Sequence, residues 1–294
     1  MTCKDWEARG FIIVMLAVPL TSFAVFWLYV NFDSILMAFQ NEKSGQVYWT
    51  LQNFRELFKE FGNSSSEIFI SLKNTLYYFL VNLFVVMPLS LILCYFLYKK
   101  IYLYKAFRFI FYLPSIISAA VLVVLVKYLL EPAGPLGGLA SNLLGEEVFL
   151  LKDSRYATNT IILYTIFTGL GGNMILLSGA MSHIDQSIIE AAKLDGISRT
   201  REMVQIVIPL IWPTLTTLLI FTFVGLFGAS GPIILFTDGE VDTSTLSYWL
   251  YISVQKYNAS YYPAAVGLFF TCVGTPIALF VRRVLNKTLE TVEM

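Results

Sequence analysis

The chain has 294 residues, of which 57% are hydrophobic and only 14% are charged. A soluble domain of this size needs a far more charged surface. The formal net charge at pH 7 is zero, so no broad basic or acidic field indicates nucleic acid as a partner. The composition therefore predicts a protein embedded in a lipid bilayer.

Six long apolar blocks without charged residues predict six transmembrane helices. Each block reaches or nearly reaches the ~20 residues needed to cross ~30 Å of hydrocarbon. All of them are too long and too apolar for the strands of a membrane barrel, so the predicted fold class is an all-α membrane protein. The blocks are residues 11–30, 74–98, 109–126, 156–182, 203–237 and 257–281. A signal peptide is the alternative for the first block, but its length and the residues after it favour a retained helix.

The loops between these helices carry two local signals. In residues 51–58, apolar side chains recur at helical spacing, which predicts an amphipathic helix on the membrane surface or against helix ends. These apolar side chains are Leu51, Phe54, Leu57 and Phe58. Asp238-Gly239 predicts a turn in the last of the loops assigned to the outer side.

The distribution of Lys and Arg predicts the orientation of the chain. Twelve of them lie in the head, the tail and the segments 99–108 and 183–202, whereas six lie in the other three loops. Because cytoplasmic loops carry the excess of Lys and Arg, both termini and the 183–202 segment are predicted to be cytoplasmic. The three cysteines, Cys3, Cys94 and Cys272, form no outer-loop pair and no CxxC motif, so neither a disulfide framework nor a metal site is expected.

The segment between the fourth and fifth helices is the most informative part of the sequence. Ser187 and Glu190 have the spacing of a capping box, which predicts a short helix beginning at Ile188. Gly196 can adopt a positive φ and would end that helix. Its predicted contact face consists of Ile188, Ala191 and Ala192.

An amphipathic segment follows, in which Met203, Ile206 and Val207 are expected to face the membrane. Pro209 is expected in the first turn of the fifth transmembrane helix, where its missing N–H is harmless. On local physical chemistry alone, an ordinary amphipathic connector with a capped helix is the better interpretation of this segment.

The particular residues of this segment carry a resemblance to a known family. Glu190-Ala191-Ala192, Asp195-Gly196, Ile206 and Ile208-Pro209-Leu210 resemble the "EAA…G…I-x-L-P" loop of binding-protein-dependent ABC importer permeases. Residues 51–58, 74–76, 111–114 and 237–239 are similar to segments of the carbohydrate branch, which includes the maltose and glycerol-phosphate permeases. Asp185, Ile197 and Met203 depart from the residues usual in the family, which leaves the fit to an ATPase groove open.

The resemblance implies a type I ABC importer permease fold and a set of partners. It divides the chain into an N-terminal helix with an outer amphipathic segment (1–69), a five-helix core (70–285) and a cytoplasmic tail (286–294). The partners implied are a second permease subunit, two ATPase subunits, an extracellular solute-binding protein and a sugar. The sequence has no P-loop, so ATP and Mg would be bound by the ATPase subunits, and this chain is expected to hold no catalytic, cofactor or metal residue. The residues implied in ATPase coupling are Ser187, Glu190, Ala191, Ala192, Asp195, Gly196, Met203 and Pro209.

A substrate path is expected on the fourth to sixth helices. Small and polar residues within the apolar fourth helix would leave a groove, and alignment by the loop places them near the sugar site of the maltose branch. The candidates are Thr165, Thr168, Gly169, Gly172, Asn173 and Thr222. Close packing between helices, which also uses small residues, is an equal alternative.

Two other classes of transporter remain as alternatives. An ABC importer for another solute, such as phosphate or amino acids, would carry the same loop. An ion-coupled secondary transporter usually has an ionisable relay inside the membrane, and the apolar blocks contain none. Clustered acidic and histidine residues, which a membrane enzyme would need, are also missing from the sequence.

Overall fold

The computed structural model describes residues 3–43, 45–228, 232–256 and 260–292, and helices make up most of them. Five helices are long and apolar enough to cross a membrane. A bent pair, Arg199–Leu210 with Trp212–Val224, supplies one more crossing if it is one span, and this crossing is the fifth in chain order. The predicted all-α membrane fold is thereby confirmed, with five or six helices that can cross the membrane. The five helices are Phe11–Ala38, Glu67–Tyr98, Ala119–Leu144, Ala157–Ser182 and Tyr261–Lys287. Residue 257, where the last predicted block begins, and residues 1, 2, 293 and 294 of the predicted head and tail lie outside the described residues.

The first half contains α1 (Cys3–Phe23), α2 (Val30–Ala38), β1 (Gln40–Lys43), β2 (Gln46–Trp49), α3 (Gln52–Phe61), α4 (Glu67–Val81), α5 (Met87–Tyr98), α6 (Tyr104–Ile116), α7 (Ala119–Leu130) and α8 (Pro135–Leu144). The second half contains α9 (Ala157–Ser182), α10 (Gln186–Leu194), α11 (Arg199–Glu202), α12 (Ile208–Leu210), α13 (Trp212–Val224), α14 (Ile233–Phe236), α15 (Leu246–Gln255) and α16 (Tyr261–Val292). Short π-helical segments, in which the hydrogen bonds span five residues, join α1 to α2, α4 to α5 and α11 to α12.

Residues 1–62 and 252–270 form one compact unit. Directly after α2, β1 and β2 pair as an antiparallel hairpin with Gln40 opposite Trp49, an element that the sequence did not predict. The side-chain amide of Asn53, 1% exposed, donates to the carbonyl oxygens of Ala38 at 3.2 Å and Gln40 at 2.8 Å. These two bonds fix α3 against the start of the hairpin.

The amphipathic helix predicted for residues 51–58 is present as α3, which begins at Gln52. Leu57 is buried, and Leu51 and Phe58 are exposed. Asn53 is buried beside Leu57, because its hydrogen bonds hold a polar side chain inward. Phe58 still contacts an aromatic ring, that of Phe269, at a centroid distance of 5.4 Å.

Residues 63–251 and 271–294 form the second unit, whose main core lies between α5, α9 and the segment from residue 203 to 218. Buried residues of α9 recur every three or four positions, so they form one stripe along the helix. This stripe consists of Leu170, Met174, Leu177 and Met181. It packs against Tyr95 of α5 and against Val207 and Ile211.

Hydrogen bonds from α4 hold the 237–246 loop. The Asn74 side-chain amide donates to the Asp242 carbonyl at 2.7 Å, and the Leu246 N–H donates to the Thr75 hydroxyl at 2.8 Å. The predicted turn at Asp238-Gly239 is confirmed, since both residues have a positive φ, 51° and 75°. A loop predicted only as a turn is therefore a fixed part of this unit.

Two of the predicted apolar blocks are not single helices. The block 109–126 is broken at residues 117–118, between α6 and α7, three residues after Pro114. The block 203–237 bends by 76° between the helix ending at Leu210 and α13, and α13 itself ends at Val224. Proline causes the second break, because Pro213 has no N–H to donate to the carbonyl of Pro209.

We predict that Gly171→Ala lowers the stability of the protein, whereas Gly172→Ala does not. A Cβ on Gly171 would lie 2.8 Å from the carbonyl oxygen of Phe111 in α6, and a Cβ on Gly172 would meet nothing within 4 Å. Overpacking of this kind costs about 1–3 kcal/mol, and alanine otherwise favours a helix by about 1 kcal/mol. Thermal unfolding of the purified protein in detergent measures both effects, and equal melting temperatures for the two variants would contradict the prediction.

Candidate functional site

The short helix α10 begins at a different cap from the predicted one. Asp185 has an extended backbone, and its carboxylate accepts a hydrogen bond from the Ser187 N–H at 2.9 Å. The bonds from Ser187 hold the pKa of Asp185 below its usual range. Ser187 itself lies in the first turn of α10, which starts at Gln186, so the predicted capping box and the start at Ile188 are wrong. Aspartate caps a helix as well as serine does, and here it does so two residues earlier.

The end of α10 is as predicted. Gly196 has φ +72°, its N–H donates to the Lys193 carbonyl at 3.1 Å, and the Ile197 N–H donates to the Ala192 carbonyl at 3.2 Å. This pair of bonds is the Schellman motif, which satisfies carbonyls that a helix end leaves free. Asp195 is the residue at the helix boundary. Both ends of α10 are thus closed by residues of this chain.

The exposed face of α10 differs in part from the predicted contact face. Ile188 is 41% exposed and Ala191 is also exposed, as expected, but Ala192 is 7% exposed and faces the protein together with Ile189. Leu194, which the sequence did not single out, is 89% exposed. The apolar surface available to a partner therefore consists of Ile188, Ala191 and Leu194, with the exposed Glu190 beside it.

The segment after α10 packs into the protein. Val207 is fully buried, and Met203 and Ile206 pack against the same core, so the prediction that these residues face the membrane is wrong. Pro209 lies in α12, and the bend comes after it at Ile211, so Pro209 does not open the fifth helix as predicted. The proline in the first turn of α13 is Pro213.

The candidate path residues fall into three groups. The hydroxyls of Thr165, Thr168 and Thr222 are partly buried, and each donates to the carbonyl four residues earlier, at 2.9, 3.1 and 3.0 Å. Gly172 is exposed, with open space above it, and Asn173 is partly buried. Gly169 serves packing, because an added Cβ would lie 3.2 Å from the Val86 side chain.

Residues that sequence analysis missed also connect to this segment. Asp185 had a recognisable signal, since aspartate is a preferred cap. Glu202 is 2% exposed and forms an ion pair with Lys99, 103 residues away along the chain. No local pattern signals a contact over that separation.

Comparison with known proteins assigns the class. The model of the family "Binding-protein-dependent transport system inner membrane component" matches residues 86–291. The chain is thus a membrane component of a binding-protein-dependent transport system, and it belongs to this family. The predicted multi-pass location in the cell membrane and the predicted resemblance to ABC importer permeases are confirmed. The family consists of permease components, which are not themselves the ATPase.

Relatives of the chain carry names from carbohydrate transport. The polygalacturonan/rhamnogalacturonan transport system permease protein YteP of Bacillus subtilis is 28% identical, over 93% of this chain and 87% of YteP. The lactose transport system permease protein LacF of Rhizobium radiobacter is 26% identical, over 89% of this chain and 88% of LacF. A chain of the bacterial alginate ABC transporter, crystallised with an alginate pentasaccharide-bound periplasmic protein, matches with a TM-score of 0.82 and 25% identity over 97% of both chains. The predicted likeness to carbohydrate permeases is therefore confirmed.

We predict that Gly196→Ala abolishes uptake, as Gly196→Asp and Glu190→Lys also should, while the subunit stays in the membrane. A left-handed backbone costs about 1–2 kcal/mol for a residue with a Cβ, so the chain after α10 would change direction. Gly145 is a matched control, because it also has a positive φ, 75°, and open space, at the end of α8. Uptake and the level of subunit in the membrane are measured together. Equal loss of uptake in Gly145→Ala, or normal uptake in Gly196→Ala, would contradict the assignment.

A second prediction concerns the cap of α10. Asp185→Ala should increase the hydrogen exchange of the amides at the start of α10 several-fold, whereas Asp185→Asn, which keeps an acceptor, should leave it near the wild-type rate. The pKa of Asp185 is lowered in the folded protein. Its stabilising effect is therefore complete above the ordinary aspartate pKa and is lost as the pH falls through the lowered value. Exchange that is unchanged in Asp185→Ala would show that the cap does not hold the helix.

Proposed function

We propose that this chain is one of two permease subunits of an ABC importer that carries an oligosaccharide delivered by an extracellular binding protein. The observation that carries the proposal is the exposed helix α10, which is closed at both ends and placed between α9 and the bent fifth crossing. Its sequence is the EAA-type loop, and the names of the relatives support a carbohydrate as cargo. The second permease completes the pathway.

In the proposed complex, α10 docks in a cleft of an ATPase subunit on the cytoplasmic side. Ile188, Ala191 and Leu194 supply the apolar contact, and Glu190 supplies a polar one. ATP and Mg²⁺ are held by the ATPase subunits. The excess of Lys and Arg near residues 99–108 and 183–202 supports the cytoplasmic placement of this loop and of both termini.

Closure of the ATPase subunits around ATP would move α10, and the permease would convert that displacement into alternating access. The change is a rigid-body switch between two packed arrangements rather than a chemical step. Gly196 sets the direction in which the chain leaves α10, so displacement of α10 is passed on to residues 199–210 without a flexible joint.

The polar groups along the proposed path suit a sugar. A threonine hydroxyl that donates to its own helix keeps lone pairs, so Thr165, Thr168 and Thr222 can still accept hydrogen bonds from sugar hydroxyls. Asn173 can both donate and accept, and Gly172 leaves room for a ring to approach α9. The sequences of α9 and α13 contain no charged residue, whereas a phosphate would call for Arg or Lys.

The test is ATP hydrolysis by the reconstituted complex. The complex is assembled in liposomes from this chain and from the second permease, ATPase and binding protein that neighbouring genes encode. It is then given a panel of neutral and acidic oligosaccharides. We expect loaded binding protein to stimulate hydrolysis several-fold with at least one glycan, and Glu190→Lys to remove the stimulation. Stimulation by phosphate or amino acids without any glycan would identify another solute class, and uptake driven by an ion gradient without ATP would identify a secondary transporter.

A further inference from the structure

Lys99, the residue directly after α5, forms a buried ion pair with Glu202 in the chain after α10. The Lys99 Nζ lies 2.6 Å from Oε1 and 2.9 Å from Oε2 of Glu202. The two side chains are only 14% and 3% exposed. The ammonium group therefore holds both oxygens of one carboxylate away from water.

Two tyrosines in the last turn of α5 extend this contact to the first residue of α10 and to the chain after its end. The Tyr95 hydroxyl lies 2.9 Å from the Arg199 carbonyl oxygen and 3.3 Å from Oε1 of Glu202, and either oxygen can accept its hydrogen bond. The Tyr98 hydroxyl accepts a hydrogen bond from the Gln186 side-chain amide at 3.1 Å. Gln186 is the first residue of α10, and Arg199 follows its end by five positions.

Stability alone does not explain a buried ion pair. Replacing such a pair by apolar side chains of similar size is often neutral or stabilising, because desolvation offsets the attraction. A buried carboxylate that keeps both oxygens on one ammonium group, however, restricts the relative position of the two segments. The pair between Lys99 and Glu202 thus fixes the position of α11 on α5.

The route along the chain from α10 to the fifth crossing is less direct. Residues 203–207 form a π-helical segment, and the chain then bends by 76° before α13. The contact with α5 avoids both features, because it joins α11 to the end of the long helix Glu67–Tyr98.

We propose that Tyr95, Tyr98, Lys99, Gln186 and Glu202 form a positioning cluster that passes the displacement of α10 directly to α5. The inference rests on the proposed function, since an ATPase must supply the displacement. The ion pair keeps the end of α5 in a fixed position against α11, so that the two segments move together. Loss of the pair separates ATP hydrolysis from transport without removing any residue of the ATPase contact or of the sugar path.

Four variants of the reconstituted complex test this role. Lys99→Met with Glu202→Met replaces the pair by apolar side chains, Lys99→Glu with Glu202→Lys reverses it, and Glu202→Gln keeps the shape of the carboxylate. Lys100→Met is the control, because Lys100 is the exposed neighbour. Melting temperature, basal hydrolysis of ATP and sugar transported per ATP are measured for each.

We expect the double-methionine variant to assemble, to melt within a few degrees of the wild type and to hydrolyse ATP, but to transport at least tenfold less sugar per ATP. Glu202→Gln should lie between this variant and the wild type. The reversed pair should recover part of the loss, and Lys100→Met should match the wild type. Wild-type coupling in the double-methionine variant, or no recovery by the reversed pair, would overturn the inference.

A second measurement does not depend on transport. It therefore distinguishes failure of the positioning cluster from failure of the proposed function. Nitroxide labels at the exposed Lys105 and Lys193, in a variant without Cys3, Cys94 and Cys272, report the separation of α6 and α10 by pulsed EPR. We expect a narrow distance distribution that broadens when both Lys99 and Glu202 are methionine. An unstimulated wild-type ATPase would refute the proposed function, whereas an equally narrow distribution in the double variant would refute the positioning cluster.

Discussion

The hydrocarbon interior of a membrane offers no hydrogen-bonding partner to a peptide N–H or C=O group, and the whole chain is arranged around this constraint. Long helices satisfy these groups internally. The same constraint explains why the hydroxyls of Thr165, Thr168 and Thr222 donate to carbonyls of their own helices. The helical bonding stops after Leu210, where Pro213 lacks the N–H that a continuous helix would donate to the carbonyl of Pro209.

Buried polar side chains that contact another element do a different task, because each of them ties segments that are far apart in sequence. Asn53 joins α3 to the start of the hairpin, and Asn74 joins α4 to the 237–246 loop. Lys99 and Glu202 do the same with charges at the end of α5. Apolar stripes such as that of α9 supply the larger share of burial, but they tolerate sliding of one helix along another. These few polar contacts select one position among the many that the apolar surfaces allow.

Features that depend on a few consecutive residues could be predicted from the sequence. The number of apolar segments, the amphipathic α3 and the end of α10 at Gly196 are of this kind. Where two local signals compete, the sequence does not decide between them. Asp185 and Ser187 are both good caps, and Asp185 is the cap in a structure that also packs Ile184 and Ile189 into the core. Which side of α10 is buried, the direction of Met203 and the partner of Glu202 depend on distant residues, so no local pattern could reveal them. The hairpin at residues 40–49 was missed because its strands are only four residues long and the first is polar.

The closed ends of α10 have a consequence for how it is recognised. A segment that folds only when it is bound loses conformational entropy in every association, and that loss weakens binding. The Asp185 cap and the Schellman motif at Gly196 have already ordered α10 before any partner arrives. A face as small as Ile188, Ala191 and Leu194 is then sufficient for recognition, and the shape it offers does not depend on which protein binds it. One binding surface can accordingly accept equivalent helices from different subunits, so recognition does not require a surface adapted to each subunit.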